Sequence, residues 1–309
     1  MNTSRLDRTS QLSTVNLTNI RHHRSVGDKE EEDPTIRDHI DFIQTQNLPW
    51  HNASQWGLSE TGKLKRLSHD PETGELSALV HFDGIAEITI EPGRDLEFLV
   101  IEGALSVDDE RYDRYHFGFV PAGRTPRITT GASGVIALIF TSPLQDAARL
   151  TPEAIEQRST PKRDLNNGVW DGDFDKFNLG SMKEGARMRV LREDPFSGET
   201  TYLTATMAFR RGSQAERHPI SQEFFLLSGE LAGEFGIMQA GAYCIRPPMA
   251  KHGPYGSPTG ALIFFRGLGG PQVTHWEDAA PFRFDPEFNP IIPDDLKPYS
   301  RPVPRTQVY

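Results

Sequence analysis

The feature that most constrains this 309-residue chain is that much of it is written twice. The stretch from Gly62 through Asp70-Pro-Glu-Thr-Gly74-Glu75 returns as Gly185 through Asp194-Pro-Phe-Ser-Gly198-Glu199, and a tryptophan, Trp50 or Trp170, precedes each. Glu97-Phe-Leu-Val-Ile-Glu-Gly103 returns as Glu223-Phe-Phe-Leu-Leu-Ser-Gly229, and Phe119-Val-Pro-Ala-Gly-Arg-Thr-Pro126 as Ile245-Arg-Pro-Pro-Met-Ala-Lys-His252. Both copies close on an apolar run, Val135 to Phe140 and Ala261 to Phe265. The offset is 124 at the aspartates and 126 at the later landmarks. An offset this constant implies duplication of one domain of about 100 to 120 residues, a usual domain size.

Within each copy the pattern is β. Short runs rich in Val, Ile, Phe, Leu and Thr are cut by Gly, Pro, Asp and Ser at intervals of about 8 to 12 residues. The two Asp-Pro-x-x-Gly segments read as turns between strands. Helical spacing is confined to Ile36, Ile40 and Ile43, which fit one face of a short helix, and to Pro152–Gln157. The expected fold class is therefore all-β, a sandwich or small barrel of the jelly-roll and cupin forms. The expected organisation is a polar N-terminal tail over 1–45, a first domain over 46–145 and a linker over 146–168. A second domain over 169–275 and a proline-rich extension over 276–309 follow. That extension cannot form a sheet interior. It either wraps a neighbouring domain or subunit or stays loose.

Composition removes several function classes. The formal charge of −10 argues against bulk nucleic-acid binding, which needs a basic surface. No apolar run is long enough for a membrane helix. A single cysteine, Cys244, excludes an internal disulfide framework and fits a reducing, cytoplasmic location. The first 25 residues, with Arg5, Arg8, Arg21 and Arg24 among Ser and Thr, read as a disordered polar tail with a faint likeness to a transit peptide.

The chemistry gathers in the second copy. Gly212-Ser-Gln-Ala-Glu216-Arg-His218-Pro-Ile-Ser-Gln-Glu223, followed by an apolar strand ending at Gly229, resembles the first cupin motif, in which a glycine turn leads to two histidines one residue apart and then a glutamate. Pro247-Pro-Met-Ala-Lys-His252 resembles the second, Pro-x-Gly-x-x-His, with Met249 in the glycine place. The resemblance covers about Gly185 to Gly267, and more weakly Gly62 to Ser142. Within the cupin superfamily it is similar to ChrR-type anti-sigma and acetylacetone-dioxygenase-like members, and it implies a tandem double-stranded β-helix.

Carried over residue by residue, the resemblance implies His218, Glu223 and His252 as metal ligands, with Glu216 where the family has its first histidine. Alternation along a strand lets Glu216 and His218 face the barrel together. Two imidazoles and a carboxylate leave positions open for substrate. One divalent metal is expected, Fe(II) ahead of Zn, Mn or Ni. The first copy has Ile90, Pro92 and Pro126 at the positions of Glu216, His218 and His252, and Glu97 alone survives, so it is expected to be metal-free. His81 and His116 lack ligand spacing, His69 reads as a turn residue, and His22 and His23 fall in the tail. Tyr202, Tyr243 and Arg246 are candidate pocket residues, with core packing the safer reading of the two tyrosines. Arg210, Arg211 and Arg246 mark either an anionic substrate or a solvated edge, and Cys244 reads as core.

The resemblance implies a metal-dependent oxygenase acting on a small diketone or phenolic ketone. A metal-dependent isomerase, lyase or hydrolase, or a non-enzymatic regulatory cupin, stays open. A small-molecule substrate and a homodimer are the expected partners.

Overall fold

A computed structural model describes residues 37–304, apart from 145, 146, 148, 149 and 183. The described residues form two nine-stranded antiparallel sheets, each rolled around its own core, and one two-stranded sheet. The first sheet runs Thr160–Asp164, His116–Val120, Arg94–Val107, Ile128–Pro143, Leu76–Phe82, Lys63–His69 and His51–Asn52 in spatial order. The second runs Ile40–Gln44, Ala242–Arg246, Ser221–Gly233, Ala261–Leu268, Thr200–Thr206 and Ala186–Glu193. The all-β jelly-roll fold expected from the sequence is the fold observed. No described helix is long and apolar enough to cross a membrane.

The repeated sequence signals do the same local work in both copies. Asp70 accepts hydrogen bonds from the amides of Glu72 and Thr73, and Asp194 from those of Phe196 and Ser197. Both aspartates close turns that pass through a left-handed glycine, Gly74 or Gly198. Gly103 and Gly229 are also left-handed, and a Cβ on either would collide with a carbonyl, that of Gly134 or Gly260. The glycine that ends each apolar strand is thus required twice over, by φ and by space.

Continuous apolar runs are explained by burial on both strand faces. Along Arg94–Val107, Leu96, Phe98 and Val100 fill the first barrel, while Leu99 and Ile101 face outward. Along Ser221–Gly233, Phe224 and Leu226 fill the second barrel, while Phe225 and Leu227 face outward. The outward sets meet in one shared core, where Phe140 stacks on Phe264 at 5.8 Å. Charged bridges cross the same interface: Arg266 pairs with Glu97 and Glu223, and Arg158 with Asp95 and Asp194.

Two sequence expectations need correction. Ile40 and Ile43 lie on the fully buried strand Ile40–Gln44, not a helix; Ile36 and the polar tail before it lie outside the described residues. Isoleucines three apart suit a helix face, but β-branched residues buried on both sides suit a strand better, and a five-residue run cannot separate the two. The helical spacing over Pro152–Gln157 corresponds to the helix Pro152–Arg158, capped by Thr151 and followed by the strand Thr160–Asp164. His69 ends the strand Lys63–His69 and meets Trp56 edge-on at 4.9 Å.

Neither arm strand joins its own barrel. Ile40–Gln44 precedes the first barrel but pairs with Ala242–Arg246 of the second. Thr160–Asp164 precedes the second but pairs with His116–Val120 of the first. The copies therefore exchange arms. The proline-rich extension wraps this junction: Ile291 exchanges backbone hydrogen bonds with Asp41, Phe288 packs edge-on against Phe42, and Leu296 enters the shared core.

Candidate metal centre

Backbone geometry brings Glu216 and His252 together. They form an isolated antiparallel bridge, each amide donating to the other's carbonyl at 2.8 and 3.0 Å. Glu216 lies on the strand Gln214–Arg217, which pairs with His275–Ala279. His218 follows just past that strand, and its carbonyl accepts from the Met249 amide at 2.7 Å. Met249, at φ +64, adopts the left-handed conformation for which the motif normally supplies glycine.

The side chains converge as well. Glu216, His218 and His252 each offer a ligand atom within 4.8 Å of the others. The His252 Nε2 to Glu216 Oε1 distance is 3.6 Å, and the two imidazole centroids are 5.1 Å apart. Each imidazole is anchored through Nδ1, His218 on the Val273 carbonyl at 3.2 Å and His252 on the Ala250 carbonyl at 2.9 Å. An Nδ1–H donated to a carbonyl leaves the Nε2 lone pair free, the arrangement in which a histidine ligates a metal. His218 Nε2, His252 Nε2 and Glu216 Oε2 are buried and make no hydrogen bond among the described residues. Burial pushes His218 down to about 4, so the ring is neutral at neutral pH.

Glu223 does not join this group, which corrects its assignment as a ligand. It sits on the interface side of its strand with Phe225 and Leu227, facing away from the barrel interior. One carboxylate oxygen accepts from Arg37, Ser77 and Tyr243 at 2.7 to 2.8 Å, and the other from Arg266. Burial opposes its charge, but Arg37 and Arg266 bring the carboxyl down to about 2. Strand parity decides the matter, because a one-residue step changes face. The interior neighbour is Gln222, which borders the same cavity as Glu216 and His252 and donates to the Tyr202 hydroxyl at 3.4 Å. Gln222 was missed in the sequence. The signal was its parity with the interior residues Phe224 and Leu226.

The same parity places the candidate pocket residues. Tyr243 lies on the interface with its hydroxyl on Glu223, outside the cavity. Tyr202 is buried and stacked on Phe265 at 5.0 Å, so it packs as core beside Gln222. Arg246 does line the cavity, but Asp41 of the exchanged arm holds it, with Nε 2.7 Å from the carboxylate, and Tyr255 takes a further bond. Cys244 is buried in the second core, as expected. The cavity, about 60 Å³, is walled by Phe224, Leu231, Ile263 and Phe265. In the first barrel no metal-ligand cluster forms among the described residues, and Ile90 packs against the core.

Residues 172–270 match the family model of the ChrR Cupin-like domain. No curated protein matches the chain in sequence. Among solved structures, the chain is similar to a protein from Nostoc punctiforme provisionally described as a dioxygenase. That match has 18% identity and a TM-score of 0.65, over 81% of this chain and 93% of that one. It is also similar to the Escherichia coli protein Ylba, with 11% identity and a TM-score of 0.53, over 77% and 95% of the two chains. At these identities the likeness is one of fold. The chain thus has the cupin-type jelly-roll fold, and its second barrel carries the stretch similar to the ChrR Cupin-like domain.

Proposed function

We propose that the second barrel holds one divalent metal through Glu216, His218 and His252 and acts as an oxygenase on a small organic molecule that chelates it through oxygen. The observation carrying this is that Glu216, His218 and His252 each bring a ligand atom within 4.8 Å of the others, that each holds a buried side-chain atom with no hydrogen bond among the described residues, and that each imidazole is already fixed through its far nitrogen. Leaving such atoms unpaired in a closed interior costs stability, and a cation removes that cost. Two histidines and one carboxylate with open positions form the donor set of non-haem Fe(II) oxygenases, so iron is the favoured ion. Bound there, the ion supplies Lewis acidity toward an enolate oxygen and a place for O₂ beside it. The chain's own part is to orient and to exclude water. The Gln222 amide borders the open side, and the apolar wall of Phe224, Ile263 and Phe265 keeps the chamber dry. Its small volume restricts substrates to a few heavy atoms beyond the chelating group.

Elemental analysis of protein purified without added metal, beside Glu216→Ala and His252→Ala variants, tests the centre. Stoichiometric iron, lost in both variants, is expected. Full metal content in His252→Ala sinks the site. Oxygen uptake with a panel of small β-diketones and phenols tests the reaction, and a metal-loaded protein that consumes no oxygen with any of them removes the oxygenase reading.

A further inference from the structure

Two arginines line the cavity that Glu216, Gln222 and His252 border, and they differ in how their charge is met. Arg246 is neutralised by Asp41 inside the barrel wall. Arg210 has no such partner. Its Nε donates to the Glu184 carbonyl at 2.9 Å, and among the described residues no carboxylate lies within ion-pair distance of its guanidinium. Its stem runs beside Gly185, where a Cβ would lie 3.5 Å from the Arg210 Cδ, and its backbone pairs with Ser257, another cavity-lining residue. Arg210 as a residue is half-buried, and burial lowers its pKa although the charge on Glu216 opposes the shift. A partly desolvated cation with two unused Nη groups at the edge of a chamber is a ready partner for a planar anion.

Charge in the chamber points the same way. With a divalent ion in place, Glu216 cancels one of its charges, Asp41 cancels Arg246, and no carboxylate among the described residues forms an ion pair with Arg210. A ligand bringing only an enolate would leave the guanidinium unmatched. One bringing a carboxylate as well would match both.

We propose that the substrate is a small organic carboxylate whose keto or enol oxygens sit at the Glu216, His218 and His252 centre while its carboxylate pairs with Arg210. This rests on the metal reading above. Arg210 is then a specificity-determining residue, and Arg246 a wall residue held by Asp41.

Acetylpyruvate and acetylacetone are a matched pair of probes, the same diketone with and without a carboxylate. Calorimetric titration of Zn(II)-loaded protein, in which no turnover occurs, should show acetylpyruvate bound about 10- to 100-fold more tightly, the worth of a charge-assisted hydrogen-bond pair. Arg210→Gln should abolish that preference while leaving metal content and acetylacetone affinity unchanged. Arg210→Lys should keep part of it, and Arg211→Gln, at the exposed neighbour, all of it. Equal affinities in the unaltered protein, or a preference that survives Arg210→Gln, overturn the proposal. Metal content measured on the same samples separates the two layers. Protein that holds no zinc removes the metal reading and this proposal together, whereas full zinc with no carboxylate preference removes this proposal alone.

Discussion

The sharpest test of the site's boundaries is Glu223→Gln, because sequence and structure assign that residue different work. The substitution removes the charge with little change of volume. Glu223 is 1% exposed at the side chain and paired with Arg37 at 2.8 Å and with Arg266. Removing one partner of a buried ion pair typically costs about 3 to 5 kcal/mol. Here neither arginine is wholly stranded, since Arg266 keeps Glu97 at 2.6 Å and Arg37 keeps Glu75 at 3.4 Å. The lower end, about 3 kcal/mol, is expected. For a chain of 309 residues that is a fall in Tm of roughly 5 °C. Metal content should be unchanged. Glu216→Gln is the mirror image. Glu216 is 16% exposed at the side chain with no arginine in ion-pair contact among the described residues, so metal-free stability should move less than in Glu223→Gln while bound metal is lost. Scanning calorimetry on metal-free protein and elemental analysis on loaded protein read both. A Glu223→Gln variant that keeps its Tm and loses its metal refutes the parity argument and restores Glu223 as a ligand.

Three further outcomes follow from the same network. Burial opposes the charges on Glu223 and Asp194, but Arg37 and Arg266, and Arg158 and Arg192, bring both carboxyls down to about 2, below their unfolded values of 4.5 and 3.8. Depressed folded values contribute stability above the unfolded pKa and lose it as pH falls through the folded one, so Tm should be level above about pH 5 and fall steeply from there to about pH 2. A Tm that stays level to pH 2 would contradict the pairing. Asp41→Asn should strand buried Arg246, costing about 3 to 5 kcal/mol and raising amide exchange across Ile40–Gln44; unchanged exchange there would show that the arm is held without the ion pair. Gln222→Glu places a second carboxylate beside Glu216. It should lower the Tm of metal-free protein and tighten metal binding, and a weaker metal affinity would show that Gln222 does not face the ion.

What the sequence made legible was what repeats. The paired Asp-Pro-x-x-Gly turns, the strand-ending Gly103 and Gly229, and the loss of ligands to Ile90, Pro92 and Pro126 can all be read by laying one copy on the other, and the turns and glycines have the same geometry in both. Glu216, His218 and His252 could be found because His252 follows a proline turn at a familiar spacing. What stayed hidden depends on which face of a doubly buried strand a residue occupies. When both faces are apolar, alternation carries no polar label, so Glu223 and Gln222 are equally good candidates until the barrel is closed. The arms were hidden differently: Ile40–Gln44 and Thr160–Asp164 share no sequence likeness, and their pairing is set by partners more than 40 residues away on one side and about 200 on the other.

The arm exchange explains why a barrel without ligands is retained beside one that has them. The cavity wall includes Arg246, whose counter-charge, Asp41, stands at the start of the first copy. Phe42, next to it, fills the second barrel's core. A second copy alone would lose both, and would expose Phe225, Leu227, Tyr243, Ile245 and Phe264, now covered by the first barrel. Its Glu223 would also lose Arg37 and Ser77. Having Ile90, Pro92 and Pro126 at the ligand positions touches none of these contacts, because Ile90 packs against the first barrel's own core and neither proline belongs to the shared one. The two faces of one sheet are thus free to change separately. The inner face of the first barrel can lose its chemistry, while its outer face and its arm remain bound to the site in the second.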